Sequence, residues 1–263
     1  MTDVMLPFIQ KTLQRSDGKN VIVLMSGEGG NGKTWVSVAL ANILADMGQK
    51  VLLFDGDLGL ANIDVQLGIT SYQDMAAVLT GKVPMNKAIV PYDLGGFDII
   101  TGRSTSHSLR GLDASSVYLI KEDLMLLATH YDTVIVDLGS SSDIMTRVFC
   151  EGVGTVLLFC TDELTSLIEA RTLLKTLSDK GYISKSGIVV NAVPSLKEGN
   201  RTYYTLIKAC DEFTKVQPPL IGVIRKDVSV LQALDSRLPV FNAYPDCMAI
   251  QDVKNIVKVL KNE

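Results

Sequence analysis

Cysteine is scarce: four residues in 263, at Cys150, Cys160, Cys210 and Cys247, with no CxxC pair and only two histidines, His107 and His130. That excludes a zinc cluster or a dithiol redox pair, and scattered thiols of a reducing compartment are expected instead. No apolar run approaches the ~18 residues a membrane span needs. The opening stretch, MTDVMLPFIQKTLQRSDGKN, has no long apolar core behind a basic start and is not expected to act as a signal peptide. Positive charge is not in excess either. Lys and Arg number 25 against 29 Asp and Glu, a net charge of -4, so neutralising nucleic-acid phosphates is not expected to be the main business of the chain. Gly 21 and Pro 8 are near average, which excludes collagen-like and low-complexity classes.

What is present is ordinary globular composition, 47% hydrophobic and 21% charged, in a chain long enough for a sizeable core. No Pro/Ser-rich linker and no internal repeat divides it. One domain is expected from residue 20 to 263, preceded by an N-terminal extension over 1–19. Seven short runs are nearly continuous in Val, Ile and Leu: Val21–Met25, Val51–Phe54, Phe97–Ile100, Thr133–Asp137, Thr155–Cys160, Gly187–Val190 and Leu220–Ile224. Such runs suit strands buried on both faces. Between them, helical spacing predicts helices over Trp35–Met47 (closed by Gly48), about Ala114–Thr129, Thr165–Asp179 and Arg201–Lys215. Strands alternating with helices predict an α/β fold, a mostly parallel twisted sheet with helices on both faces.

The first strand runs into SGEGGNGKTW, and a helix follows. Gly27-x-x-x-x-Gly32-Lys33-Thr34 fits the phosphate-binding P-loop pattern. The loop residues Gly27, Gly29, Gly30, Asn31 and Gly32 would turn backbone N–H groups inward around an anion, helped by the positive end of the helix. Lys33 would hold the β- and γ-phosphates, and the Thr34 hydroxyl would ligate Mg²⁺. Two strands end in carboxylates, Asp55 with Asp57 and Asp137, at the edge of a parallel sheet where ligands bind. Asp137 is expected to reach Mg²⁺, and Asp57 to orient an attacking water.

VLLFDGDLGLANIDVQLGI (Val51–Ile69), following SGEGGNGKT, resembles the deviant-Walker-A ATPases of the MinD/ParA group, and within it the flagellar-number regulators of the FlhG/FleN (YlxH) type. VIVDLGSSSD (Val134–Asp143) resembles the Walker B and switch II segment. VVNAVPS (Val189–Ser195) resembles the strand end whose Asn, here Asn191, contacts adenine. LIGVIRKDVSVLQALDSRLPV (Leu220–Val240) resembles the segment flanking the base. The resemblance implies ATP and ADP with Mg²⁺ as ligands, Asp55 on the metal side with Thr34 and Asp137, and Asp57 supporting slow hydrolysis. It also implies a homodimer with nucleotide between the subunits and a flagellar or other positioning protein as partner. A cytoplasmic location follows, with the inner face of the membrane as the secondary one.

Four departures from the family pattern qualify that expectation. The signature Lys after the first Gly, which reaches across the dimer, is Glu28 here. That predicts a weakened homodimer and uncertain turnover, and keeps a degenerate nucleotide-binding scaffold as the alternative function. Trp35 stands where the family usually has a smaller residue. It is expected to pack on the sheet and is counted among the nucleotide-side residues. The amphipathic stretch Met248–Lys261 is expected to be a core helix rather than a membrane-surface helix, since it lacks aromatic anchors. Finally, Asp3-Val4-Met5-Leu6 barely matches the N-terminal motif with which FlhG proteins stimulate the GTPase FlhF, and Pro7 limits a helix upstream of it.

Overall fold

The computed structural model describes residues 17–57, 63–69, 75–79, 82–102, 113–140 and 143–261. Most of the expected N-terminal extension, and the stretch Leu58–Asn62 of the family-like string, lie outside the described residues. Eight strands form one sheet: β1 (Val21–Ser26), β2 (Val51–Asp55), β3 (Ile89–Tyr92), β4 (Phe97–Ile100), β5 (Thr133–Ser140), β6 (Thr155–Cys160), β7 (Ser186–Val193) and β8 (Leu220–Arg225). Their order across the sheet is β3-β4-β2-β5-β1-β6-β7-β8. Every pairing is parallel except β3 with β4.

The seven apolar runs of the sequence are the seven parallel strands. The unforeseen element is β3, a short antiparallel edge strand whose Pro91 lacks an N–H and so suits an edge. Strand residues alternate between the two faces as the pleat requires. Val21, Val23 and Met25 of β1 point into one core while Leu24 points into the other. The first core is roofed by α4 (Ala114–Ala128), α5 (Asp143–Cys150), α6 (Leu164–Asp179) and α7 (Leu196–Cys210). The second is roofed by α1 (Lys33–Asp46), the short α2 (Ile63–Leu67), α8 (Val228–Asp235), α9 (Val240–Ala243) and α10 (Met248–Lys261). A further short helix, α3 (Met75–Leu79), sets Met75 into the first core.

Two helix assignments gain from the structure. The sequence predicts a helix from Arg201, but α7 begins five residues earlier. Ser195 caps it, its Oγ accepting the Glu198 N–H at 3.2 Å. Ser195-x-x-Glu198 is a capping-box pattern. The amphipathic C-terminal stretch is α10, and its apolar side is core: Ile250, Val253, Ile256 and Val257 are buried against the second face. Gly222 of β8 permits this approach, because any Cβ there would overlap Ile256. Arg225, at the end of β8, clasps the same helix. Its Nε and Nη2 donate to the Asp252 carboxylate at 2.9 and 2.8 Å, and its backbone N–H donates at 3.0 Å. Among the described residues no helix is long and apolar enough to cross a membrane. All four cysteines are unpaired, and burial pushes the Cys150 and Cys160 thiols up to about 12.

Candidate functional site

β1 ends at Ser26, and the chain turns through Gly27–Gly32 before α1 begins. Gly30 and Gly32 sit at φ 83° and 76°, where glycine alone is unstrained. Gly32 is also a close approach: a Cβ there would overlap the Asn191 amide and lie 2.8 Å from Trp35 Nε1. The loop is braced from both sides of the sheet. From β7, Asn191 Nδ2 donates to the Asn31 carbonyl at 2.8 Å. On the other side, Asn31 Nδ2 donates to Ser166 Oγ of α6 at 3.3 Å, and Ser166 also accepts the Thr161 N–H at 2.9 Å. Gly27 lies directly against Glu169 of α6. The result is a rigid turn of backbone amides over the N-terminus of α1, an arrangement suited to an anion.

Lys33 folds under this loop. Its Nζ donates to Ser26 Oγ at 2.6 Å, and Ser26 Oγ donates to the Glu28 carbonyl. Burial lowers the lysine pKa, while Asp137 and Asp57 oppose that drop. Asp137, on β5, is only 2% exposed. Burial raises its pKa to about 6, against hydrogen bonds from Thr34 and Ser37 and the charge of Lys33. Its Oδ1 is buried with no hydrogen-bond partner among the described residues.

Asp55 neighbours Asp137 across the β2–β5 ladder. Burial first, then the Asp137 charge, raises its pKa well above the usual carboxylate range. The sequence places Asp55 on the metal side. In the structure both its oxygens serve backbone, Oδ1 accepting the Asp57 N–H at 3.2 Å and Oδ2 the Ile63 N–H at 3.3 Å. It thereby pins the start of α2 to the sheet. The Asp57 carboxylate lies over Gly139, where any Cβ would overlap it. The buried Lys33 ammonium therefore faces the charges of Asp137 and Asp57, with Asp55 behind Asp137 on the next strand.

Two adjoining clefts open from the loop. One, of about 380 Å³, is lined by Gly30, Lys33, Thr34, Trp35, Gln66 and Arg237. The other, of about 160 Å³ and mostly apolar, is lined by Trp35, Asn191, Arg225, Val230 and Leu234 among others. Trp35 packs in the second core and walls both clefts. Ser26, Ser166 and Arg237 were not singled out by sequence reasoning. A lone Ser or Arg carries no spacing signal, and Arg237 reaches the cleft through a left-handed turn at φ 52°.

Fold and loop together define a P-loop nucleotide-binding α/β domain. Residues 22–240 match the family described as CobQ/CobB/MinD/ParA nucleotide binding domain. The chain belongs to that family. The antiactivator FleN of Pseudomonas aeruginosa is 33% identical over 225 residues, covering 86% of this chain and 80% of FleN. The flagellum site-determining protein YlxH of Helicobacter pylori is 26% identical over 243 residues, covering 91% and 81%. Among solved structures, the cell division ATPase MinD of Pyrococcus furiosus aligns with a TM-score of 0.75 at 19% identity, covering 93% of this chain and 99% of that one. MinD of Pyrococcus horikoshii, complexed with Mg-ADP, gives 0.74 at 20% identity and covers 92% and 95%. At these identities the two structures speak for the fold.

Proposed function

We propose that the chain is a MinD/FleN-like nucleotide switch that binds ATP with Mg²⁺, hydrolyses it slowly and regulates flagellar number or another cellular position. The observation that carries the reading is the buried Asp137 Oδ1, which meets no donor beside the Thr34 hydroxyl and the Lys33 ammonium. Two carboxylates, Asp137 and Asp57, against one ammonium leave an excess of negative charge that a divalent cation would balance. Among the described residues no group of three or more His, Cys, Asp or Glu side chains could hold a metal by itself. The donors suit an ion shared with a ligand's phosphates. Thr34 and Asp137 would hold it, Asp137 through water, and bound Mg²⁺ would offset charge developing on those phosphates. Lys33 would exchange Ser26 for phosphate oxygens, Asp57 would orient water, and the apolar cleft by Trp35 and Asn191 would take the base.

Glu28 argues for loading mainly as a monomer. In a nucleotide-bridged pair it would face the partner's phosphates, where the family has an attractive Lys. Unit charges ~4 Å apart at an effective dielectric of ~20 interact by about 4 kcal/mol before screening, and about 1.4 kcal/mol is tenfold in an equilibrium. The second reading, a nucleotide-binding scaffold without turnover, rests on the same residue. Trp35 is the single tryptophan and walls both clefts, so its fluorescence reports loading. The expected result is a saturable, Mg²⁺-dependent change with ATP that Lys33→Ala abolishes while the variant still melts cooperatively. An unchanged titration in Lys33→Ala would sink the site assignment. Phosphate release separates the switch from the scaffold.

A further inference from the structure

α8 closes on a residue that the closing turn strains. The Arg237 N–H donates to the Leu234 carbonyl at 3.0 Å, and the Leu238 N–H to the Ala233 carbonyl at 2.9 Å. That pair of bonds is a Schellman close, whose left-handed position usually belongs to glycine. Arg237 holds it at φ 52°. Among the described residues the one other non-glycine at positive φ is Ala192, at 57°, and it lines the smaller, apolar cleft. Arg237 lines the larger one, of about 380 Å³, with Lys33, Thr34, Trp35 and Gln66. The residue is exposed, and its side chain takes part in no ion pair or hydrogen bond among the described residues, although Asp235 lines the same cleft. Arg225, which lines the smaller cleft, is engaged by Asp252.

We propose that Arg237 clamps the α- and β-phosphates of the bound nucleotide and so holds ADP and ATP alike. Trp35 walls both clefts. A nucleotide with its base in the apolar cleft and its terminal phosphates at Lys33 carries its inner phosphates past Trp35, on the side where Arg237 stands. Lys33 already faces the charges of Asp137 and Asp57, so a diphosphate laid against it calls for a second cation besides Mg²⁺. A guanidinium suits that task, because its planar fork grips two phosphate oxygens at once. Glycine would close α8 without strain. Arginine gives up that ease and sets a charge at the cleft, and strain of this kind persists where a ligand uses it. The side chain comes from the same subunit, so the clamp works in a monomer. The proposal rests on the reading that nucleotide occupies these two clefts.

The test is calorimetry with ADP and with ATP, each with Mg²⁺, on the full chain, Arg237→Gln, Arg237→Gly and Lys258→Gln, with a thermal melt of each. Arg237→Gln and Arg237→Gly should weaken both nucleotides by about tenfold. Arg237→Gly should also melt at or above the wild-type midpoint, because it relieves the left-handed backbone. An arginine that only held the turn together would lose stability and affinity at once. Lys258→Gln, which removes one exposed charge from α10, should bind both nucleotides like wild type. Wild-type affinity in both Arg237 variants would overturn the clamp. So would a loss confined to ATP, which would put the side chain at the γ-phosphate, a lowered midpoint in Arg237→Gly, or an equal loss in Lys258→Gln. A wild-type chain that binds neither nucleotide would instead sink the reading of the two clefts, and the clamp with it.

Discussion

Asp137→Asn should stabilise the nucleotide-free protein at neutral pH while weakening the proposed Mg²⁺-dependent binding of ATP. The wild-type carboxylate is buried, and its pKa is raised from 3.8 to about 6, chiefly by burial. At about 1.4 kcal/mol per pH decade, holding it ionised at pH 7.5 costs the folded state about 3 kcal/mol. Asparagine removes that charge. It keeps an acceptor for Thr34 or Ser37 but makes weaker hydrogen bonds to them, a loss of about 1 kcal/mol. The net gain is about 2 kcal/mol, and at roughly 2–4 °C per kcal/mol for a chain of this size the midpoint should rise by about 4–8 °C. The sign with pH follows from the raised value. Stability tied to this group is whole below pH 3.8 and is lost as pH climbs through about 6. The advantage of the variant should therefore be full at pH 7.5 and should shrink steadily toward pH 5. The assay is a pair of thermal melts in EDTA across that range, with a Trp35 titration of ATP with and without Mg²⁺. A variant that melts below wild type at pH 7.5, or a gap that does not change with pH, would refute the reasoning.

Asp57→Ala should leave ATP affinity within about threefold of wild type and remove phosphate release, because positioning water and holding the metal are separable roles; equal loss of affinity in Asp57→Ala and Asp137→Asn by calorimetry would end that division. Asp252→Asn breaks the clasp on Arg225, whose guanidinium and backbone N–H both use that carboxylate; a loss of about 2 kcal/mol, or roughly 4–8 °C in the melt, is expected, and an unchanged midpoint would show that α10 is held by apolar packing alone.

Much of this architecture is legible in the residues because parallel strands buried on both faces leave an unbroken apolar signature. β3 left none: Ile89-Val90-Pro91-Tyr92 is short, half-buried and interrupted by a proline that only an edge accepts. α7 starts five residues before its helical spacing indicates because its start is set by the Ser195 cap, and its first turn, Leu196-Lys197-Glu198, reads as loop without it. At the site, the loop and the strand-end carboxylates follow from spacing. The service of Asp55 to the backbone of Asp57 and Ile63 does not, since spacing tells where a carboxylate stands and not which groups reach it first. The bracing of the loop by Ser166 and Asn191 joins residues 135 and 160 positions away from Asn31, beyond any local pattern.

The sheet separates two cores that share almost nothing but its strands, and the phosphate loop is the seam between them. It feeds α1 on one side and meets α6 on the other through the packing of Gly27 on Glu169 and, among the described residues, one neutral hydrogen bond of 3.3 Å. Such a bond contributes only about 1 kcal/mol. A ligand that fills the loop should therefore add contacts across this seam and couple the two helical layers more tightly. Nucleotide should act less as a local prop than as mortar: amide exchange should slow on both layers together, at helices that never touch the ligand, as two partly independent unfolding units become one.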